Sequence, residues 1–266
     1  MNSFKNAKNI VIKVGSSSLT YETGLINMRQ IELLCKLIAD IRNSGRSVTL
    51  VSSGAIAVGT AKMGLRTYPS TTAERQAAAA VGQCELMYLY DKLFTEYHHK
   101  VAQVLLTRDD IETYNRKHHV ENTFNQLREW GAIPIVNEND TVSVEEIEIG
   151  NNDTLSAIVA ALTNADGLIL LSDIDGLYDG NPHDNPDAKL IPLVEEIDDY
   201  IESIAGGAGS RRGTGGMATK IAAAKIATKA GCAMCIMNSK DMLKIYDLLD
   251  GKSVGTLFTA KKGEKA

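Results

Sequence analysis

The chain has 266 residues, of which 44% are hydrophobic and 23% charged, an ordinary globular composition with enough apolar material for a large core. Its 33 acidic residues outnumber the 28 basic ones for a net charge of −5, which argues against a nucleic-acid or anionic-membrane surface, where a basic excess is the rule. The opening MNSFKNAKNIVIKVGSSS carries an apolar stretch shorter than a signal peptide or a membrane span needs, so a cytoplasmic protein with no membrane partner is expected. In that compartment Cys35, Cys84, Cys232 and Cys235 read as reduced thiols.

NIVIKV (Asn9 to Val14) is a β-branched run that stops at Gly15-Ser16-Ser17, and it reads as a strand. Met28, Ile31, Leu34, Cys35, Ile38 and Ile41 follow at helical spacing, with Gly45 as the stop. SVTLVSSGAI repeats the theme: a strand, then Ser52-Ser53-Gly54, then a helix from about Ala55. The run Ala77 to Ala80 with Met87, Tyr88 and Tyr90 reads as a packed helix at a candidate subunit interface. Further strands are expected at Val101–Leu106, Ile133–Val136, Gly167–Leu171 and Ala233–Met237, each flanked by helical sequence. VSVEEIEIG (Val142 to Gly150) alternates with period two and reads as a hairpin. Strands alternating with helices imply crossover connections and a mainly parallel sheet covered on both faces.

In such sheets ligands bind beyond the carboxyl ends of the strands. Four turns rich in Gly, Ser and Asx stand there: KVGSSS, VSSGAI, VNENDTV and LSDIDGLY. GNND (Gly150 to Asp153) and GTGGMATK (Gly213 to Lys220) add two helix N-termini, where unpaired N–H groups and the helix dipole favour anions. Lys13 lies in an apolar strand, an expensive place for a charge without a partner; it is either a snorkelling lysine or one that meets a ligand. Gly15, two residues on, leaves room for a phosphate to approach the backbone. NEND and GNND are sound turn sequences in their own right. As a pair flanking one hairpin they also supply donors and acceptors suited to a zwitterion. Cys232 and Cys235 have redox spacing but fall in an apolar strand, which favours a structural role. Asp173, Asp175 and Asp179 do not have calcium-loop spacing. His98-His99 and His118-His119 read as exposed helix residues.

Taken together and in order, KVGSSSL, VSSGAIAVG, PIVNENDTV, GNNDTLSA, LLSDIDGLYDGNP and GTGGMATKI resemble the glutamate 5-kinases of the amino acid kinase family over nearly the whole chain. The resemblance implies a three-layer α/β/α sandwich with a mainly parallel central sheet, a single kinase domain spanning 1–266, and no PUA-type domain of the kind many bacterial members carry. It implies ATP-dependent phosphorylation of the γ-carboxylate of L-glutamate, the first step of proline biosynthesis. Mg²⁺ would be held mainly by the ATP phosphates. It also implies proline as a feedback inhibitor and a homo-oligomer, dimer or tetramer. Lys13 and Lys220 match the lysines that neutralise the transferring phosphoryl group, and Asp153 the aspartate that holds both. Ser53, Gly54, Asp140 and Asn152 match glutamate contacts. Lys13, Gly15, Ser172, Asp173, Thr214, Gly215, Gly216, Met217, Ala218, Thr219 and Lys220 match nucleotide contacts. Asn151 stands where the family often has an aspartate. The rival readings are another kinase of the family, acting on N-acetylglutamate or aspartate, and a non-catalytic amino-acid sensor, which has no need of two phosphoryl-stabilising lysines.

Overall fold

The computed structural model describes residues 3–143, 151–182, 185–206 and 216–260. The chain forms two compact units, Met1–Lys13 with Asp153–Ala266, and Val14–Asn152. Strand β1 (Asn9–Val14) opens the chain, with Ile10, Val11, Ile12 and Val14 fully buried.

The unit Val14–Asn152 contains α1 (Ser16–Leu19), α2 (Met28–Asn43), β2 (Ser47–Ser52), α3 (Ala55–Lys62), α4 (Thr72–Thr95), β3 (Val101–Leu106), α5 (Arg108–Glu112), α6 (Tyr114–Glu129) and β4 (Ile133–Glu138). The periodic apolar face of α2 buries Ile31, Leu34, Cys35, Ile38 and Ile41. The Asn27 side chain caps its first turn, and the chain leaves it through Gly45 at φ +90°, a left-handed conformation that glycine adopts at little cost. The strands run β3-β4-β2, all parallel, with Val101 opposite Ile133 and Leu50 opposite Ile135.

Helices α3 and α4 touch backbone to backbone. A Cβ on Gly59 would stand 1.8 Å from the Ala78 carbonyl oxygen, and one on Gly82 would stand 1.8 Å from that of Ala55. The alanine run therefore packs within its own chain: Ala78 and Ala79 are buried, while Ala77, Ala80 and Tyr88 face outward. A capping box of Thr71 and Glu74 starts α4, each side chain accepting from the other residue's backbone N–H. His98 and His99 are not on a helix. They form the turn after α4, with His98 at φ +59°, whereas His118 and His119 are exposed on α6 as expected.

The other unit adds α7 (Asn152–Leu162, whose first residue closes the preceding unit), β5 (Gly167–Ser172), β6 (Leu193–Val194), α8 (Asp199–Ala205), α9 (Met217–Lys229), β7 (Ala233–Asn238), α10 (Lys244–Leu249) and β8 (Thr256–Phe258). Its strands run β1-β5-β7-β8-β6; β5 and β7 are parallel from Gly167–Ala233 to Ser172–Asn238, and β8 is antiparallel to β7. Every residue of β5 is buried, which accounts for its continuous apolar run. The eight strands are thus mostly parallel and alternate with helices, an α/β fold as the sequence led one to expect. The period-two stretch 144–150 lies outside the described residues. No helix among the described residues is long and apolar enough to cross a membrane.

Candidate active site

Strand β1 delivers Lys13 into a buried setting, where its charge requires a partner. That partner is Asp153 in the first turn of α7, an acidic position favoured by the helix dipole. Lys13 Nζ stands 2.6 Å from Asp153 Oδ1, and Lys220 Nζ, from the first turn of α9, stands 3.2 Å from Oδ2. The side chains are 11%, 2% and 6% exposed for Lys13, Asp153 and Lys220, so all three charges are largely withdrawn from water. Burial alone would raise the Asp153 carboxyl, but the ammonium groups of Lys13 and Lys220 outweigh it and hold the acid below its ordinary range. The carboxylate is therefore ionised at neutral pH. Two ammonium groups and one carboxylate sum to one positive charge, an arrangement that favours an anionic ligand.

Thr219 adjoins this group. Its hydroxyl lies 2.7 Å from the Gly216 carbonyl oxygen and 3.2 Å from Asp153 Oδ2, and its single proton is shared between these acceptors. Gly216 caps α9 without a side chain, while Met217 and Ala218 begin the helix, leaving its first N–H groups for an acceptor outside the helix. Thr214 and Gly215 of the same loop lie outside the described residues. Gly15 caps α1 at φ −84°, which any residue adopts, so the backbone conformation there does not itself require glycine. Ser172 ends β5 and donates to Asp173 Oδ1 at 3.0 Å, so the two form a local pair at the end of the strand.

In the Val14–Asn152 unit, two of the four residues expected to hold an amino acid, Ser53 and Asn152, share a chain of hydrogen bonds with Asn137 and Gln83. Gly54 takes φ +105° at the start of α3, so the tight turn after β2 needs glycine there, and Ser53 N–H donates to the Val14 carbonyl at 3.1 Å. Asn152 Nδ2 donates to Ser53 Oγ at 2.6 Å and to Asn137 Oδ1 at 3.0 Å. Asn137, buried near the end of β4, donates through Nδ2 to Gln83 Oε1 at 3.0 Å. Asp140 stands in the turn after β4. Partial burial, and then the negative charge of Asp140, raise the Tyr68 phenol above its ordinary value, so the acid's field reaches that ring. Next to Ser53, Ser52 Oγ and the fully buried Tyr90 hydroxyl lie 2.8 Å apart and anchor the end of β2 to α4.

Two participants escape the sequence patterns. Gln83 sits in an alanine-rich helix with no polar periodicity to single it out, and only the glycine before it marks the close approach of α3. Thr219 appears as a nucleotide contact, but nothing in its spacing indicates that it also reaches Asp153. The thiols are elsewhere: Cys35, Cys232 and Cys235 are buried, Cys84 is exposed, and all are free. Burial pushes the Cys235 thiol up to about 12, which suits a core residue rather than a nucleophile.

The parallel α/β fold, glycine-started helices at the strand ends and a buried lysine pair on one aspartate define a phosphotransferase of the amino acid kinase class. The profile of the amino acid kinase family matches residues 8–238, and the chain belongs to that family. It is 55% identical over 264 residues to a glutamate 5-kinase of Clostridium perfringens, with 98% of each chain covered. It is 52% identical to a glutamate 5-kinase of Listeria innocua, covering 98% of this chain and 96% of that one. Among solved structures, an isopentenyl phosphate kinase of T. acidophilum superposes with a TM-score of 0.64 over 94% of this chain and 99% of that chain. A carbamate kinase of Giardia lamblia does so with a TM-score of 0.66 over 96% and 99%. Both are 15% identical to this chain, which shows the shared fold alone.

Proposed function

We infer that the chain phosphorylates the γ-carboxylate of L-glutamate with ATP, giving L-glutamyl 5-phosphate, the first step of proline biosynthesis. The observation that carries the phosphoryl-transfer part is the buried trio in which Lys13 and Lys220 share Asp153. The substrate part is supported by the near full-length relatives that are glutamate 5-kinases. A γ-carboxylate has a pKa near ~4.3 and is already a nucleophile at neutral pH, so the reaction needs no general base. What it needs is relief of the repulsion between two anions, and two lysines directed at the transferring group supply that. Asp153 keeps both ammonium groups from swinging out to water.

ATP suits the positive trio and the uncapped start of α9. Mg²⁺ would be carried on its phosphates, because both oxygens of Asp153 are already taken by lysines and the carboxylate is spent as a metal ligand. When bound, the metal neutralises phosphate charge. Ser53, Asn152 and Asn137, with Gly54 and Asp140 nearby in sequence, are the groups that would hold the amino acid, the serine hydroxyl donating to a carboxylate and the asparagine oxygen accepting from an ammonium. Proline, a smaller amino acid with the same α-carboxylate, would compete for this site. A homo-oligomer, a cytoplasmic setting and a single kinase domain complete the reading.

An ADP-release assay across L-glutamate, N-acetylglutamate, L-aspartate, carbamate and UMP tests it. Glutamate alone should give rapid turnover; turnover of another acceptor in its place would overturn the assignment.

A further inference from the structure

The hydrogen bonds around Asn152 have a direction, and the chain they form runs on to Gln83 on α4. Asn152 spends both Nδ2 protons, one on Ser53 Oγ and one on Asn137 Oδ1. Asn137 can offer Oδ1 only because its own Nδ2 turns the other way, onto Gln83 Oε1. An amide carries its acceptor and its donors at opposite edges of one planar group, so each link constrains the next. With Gln83 accepting, Asn152 Oδ1 is left pointing out of the chain as an acceptor. Ser53 Oγ, already accepting from Asn152, keeps its O–H proton to donate.

If the relay ran in the opposite sense, with a donor at position 83, Asn137 would give its Nδ2 to Asn152 Oδ1. Asn152 would then present N–H groups to the ligand, and the Ser53 proton would be drawn onto the asparagine oxygen. That polarity would repel an ammonium group and leave a carboxylate without the serine donor. The two senses satisfy the same number of internal bonds, so the asparagines do not choose between them on their own. In the structure Gln83 presents Oε1 to Asn137, which is the first sense, and the contact of Gly82 with Ala55 and Gly59 on α3 brings the two helix backbones together beside position 83.

We propose that Gln83 is a positioning residue for amino-acid recognition: by accepting from Asn137 it sets the amide polarity of Asn152, so that the site offers an acceptor to an α-ammonium and a serine hydroxyl to a carboxylate. It touches no substrate itself. The inference rests on the glutamate reading given above.

The test pairs two substitutions with opposite hydrogen-bonding consequences. Gln83→Glu keeps an oxygen acceptor toward Asn137, so its Kd for L-glutamate by calorimetry and its KM should stay within about twofold of wild type. Gln83→Met keeps the bulk but removes the acceptor, and its glutamate Kd and KM should rise about tenfold while kcat and the KM for ATP hold. Gln83→Ala carries the same expectation as the methionine variant if that one does not fold. A residue that merely packs would respond to size, making glutamate and methionine behave alike; equal glutamate affinity in those two folded variants overturns the inference. Failure of the wild-type enzyme to bind glutamate at all would instead overturn the substrate reading, and this inference with it.

Discussion

Lys13 Nζ stands 2.6 Å from Asp153 Oδ1, so charge and a hydrogen bond together hold the pair. Lys220 binds the other oxygen, at 3.2 Å. The consequences of removing each member are therefore unequal. Lys13→Ala or Lys220→Ala leaves Asp153 with one lysine, a neutral pair, so the fold should tolerate either. Each should lower kcat by roughly 10²- to 10³-fold, the size of one lost transition-state contact. Asp153→Asn leaves two buried ammonium groups without their carboxylate, and breaking a buried pair in that way costs about 3–5 kcal/mol. Urea midpoints alongside kcat should separate the two classes: catalytic loss with normal stability for the lysines, loss of both for the aspartate. Near-normal kcat in both folded lysine variants would remove the assigned phosphoryl site.

The same carboxylate gives a pH dependence. Its folded pKa is depressed from the unfolded value of 3.8, burial being outweighed by Lys13 and Lys220. The pair's contribution is thus fully present above the unfolded pKa and is lost as the pH falls through the folded one. Wild type should exceed Asp153→Asn in stability by a constant margin from pH 7 down to about 5, and the margin should shrink only below about 4. Denaturant titrations at pH 7, 5 and 3 check this. A margin that closes above pH 5 would mean that the lysines do not hold the acid ionised.

Much of this arrangement was legible in the residues, but unevenly. The strands were readable because β1, β2 and β5 are nearly pure β-branched or aliphatic runs ending in glycine or serine, a pattern set by burial on both faces. Lys13 stood out because a charge in such a run needs an explanation. Its partner did not: Asp153 and Lys220 are remote in sequence, and only the family resemblance joined them. Gln83 was invisible, since it is one of two glutamines on an alanine-rich helix and has no periodicity to betray it. The close helix pair leaves only a faint sign in the sequence. AVG recurs in two consecutive helices, at Ala57–Gly59 and Ala80–Gly82, where mid-helix glycine is otherwise unfavourable.

That pair yields a stability prediction. Gly82→Ala would place a Cβ 1.8 Å from the Ala55 carbonyl oxygen and 2.5 Å from the Gly59 nitrogen, so α3 and α4 must separate. Backbone cannot rotate aside as a side chain can. The gain in helix propensity, about 1 kcal/mol, is outweighed by an overpacking cost of about 1–3 kcal/mol or more. Gly59→Ala should behave alike. Cys84→Ala, two residues from Gly82 on the exposed side, should change stability by no more than about 0.5 kcal/mol. Urea unfolding of the three variants tests this, and a stabilised Gly82→Ala protein would refute the close packing.

Proline offers the α-carboxylate and a secondary ammonium but no γ-carboxylate. If it occupies the Ser53–Asn152 site, inhibition should be competitive with glutamate, and Asn152→Ala should weaken proline and glutamate together. Initial rates at low and high glutamate across a proline series measure this. Inhibition that persists undiminished at saturating glutamate would place proline elsewhere.

The sharpest prediction concerns the amine. Asn152 Oδ1 is left as an acceptor once Nδ2 has bonded Ser53 and Asn137, and the charge of Asp140, in the turn after β4, adds a negative field in the same unit. Both suit an α-ammonium. N-acetylglutamate keeps the two carboxylates but replaces the ammonium with a neutral amide that carries one proton and extra bulk. An acceptor left unpaired costs about 1–3 kcal/mol, more when it is charged, and the acetyl group must also be accommodated. At 1.36 kcal/mol per tenfold in rate, kcat/KM for L-glutamate should exceed that for N-acetylglutamate by at least about 10²-fold. Asn152→Ala and Asp140→Ala should narrow that ratio by raising the KM for glutamate, with the KM for ATP little changed. Asn151, where the family often has aspartate, makes this site one charge poorer, so Asn151→Asp should widen the ratio. Equal turnover of the two substrates by the purified enzyme would transfer the assignment to an acetylated acceptor.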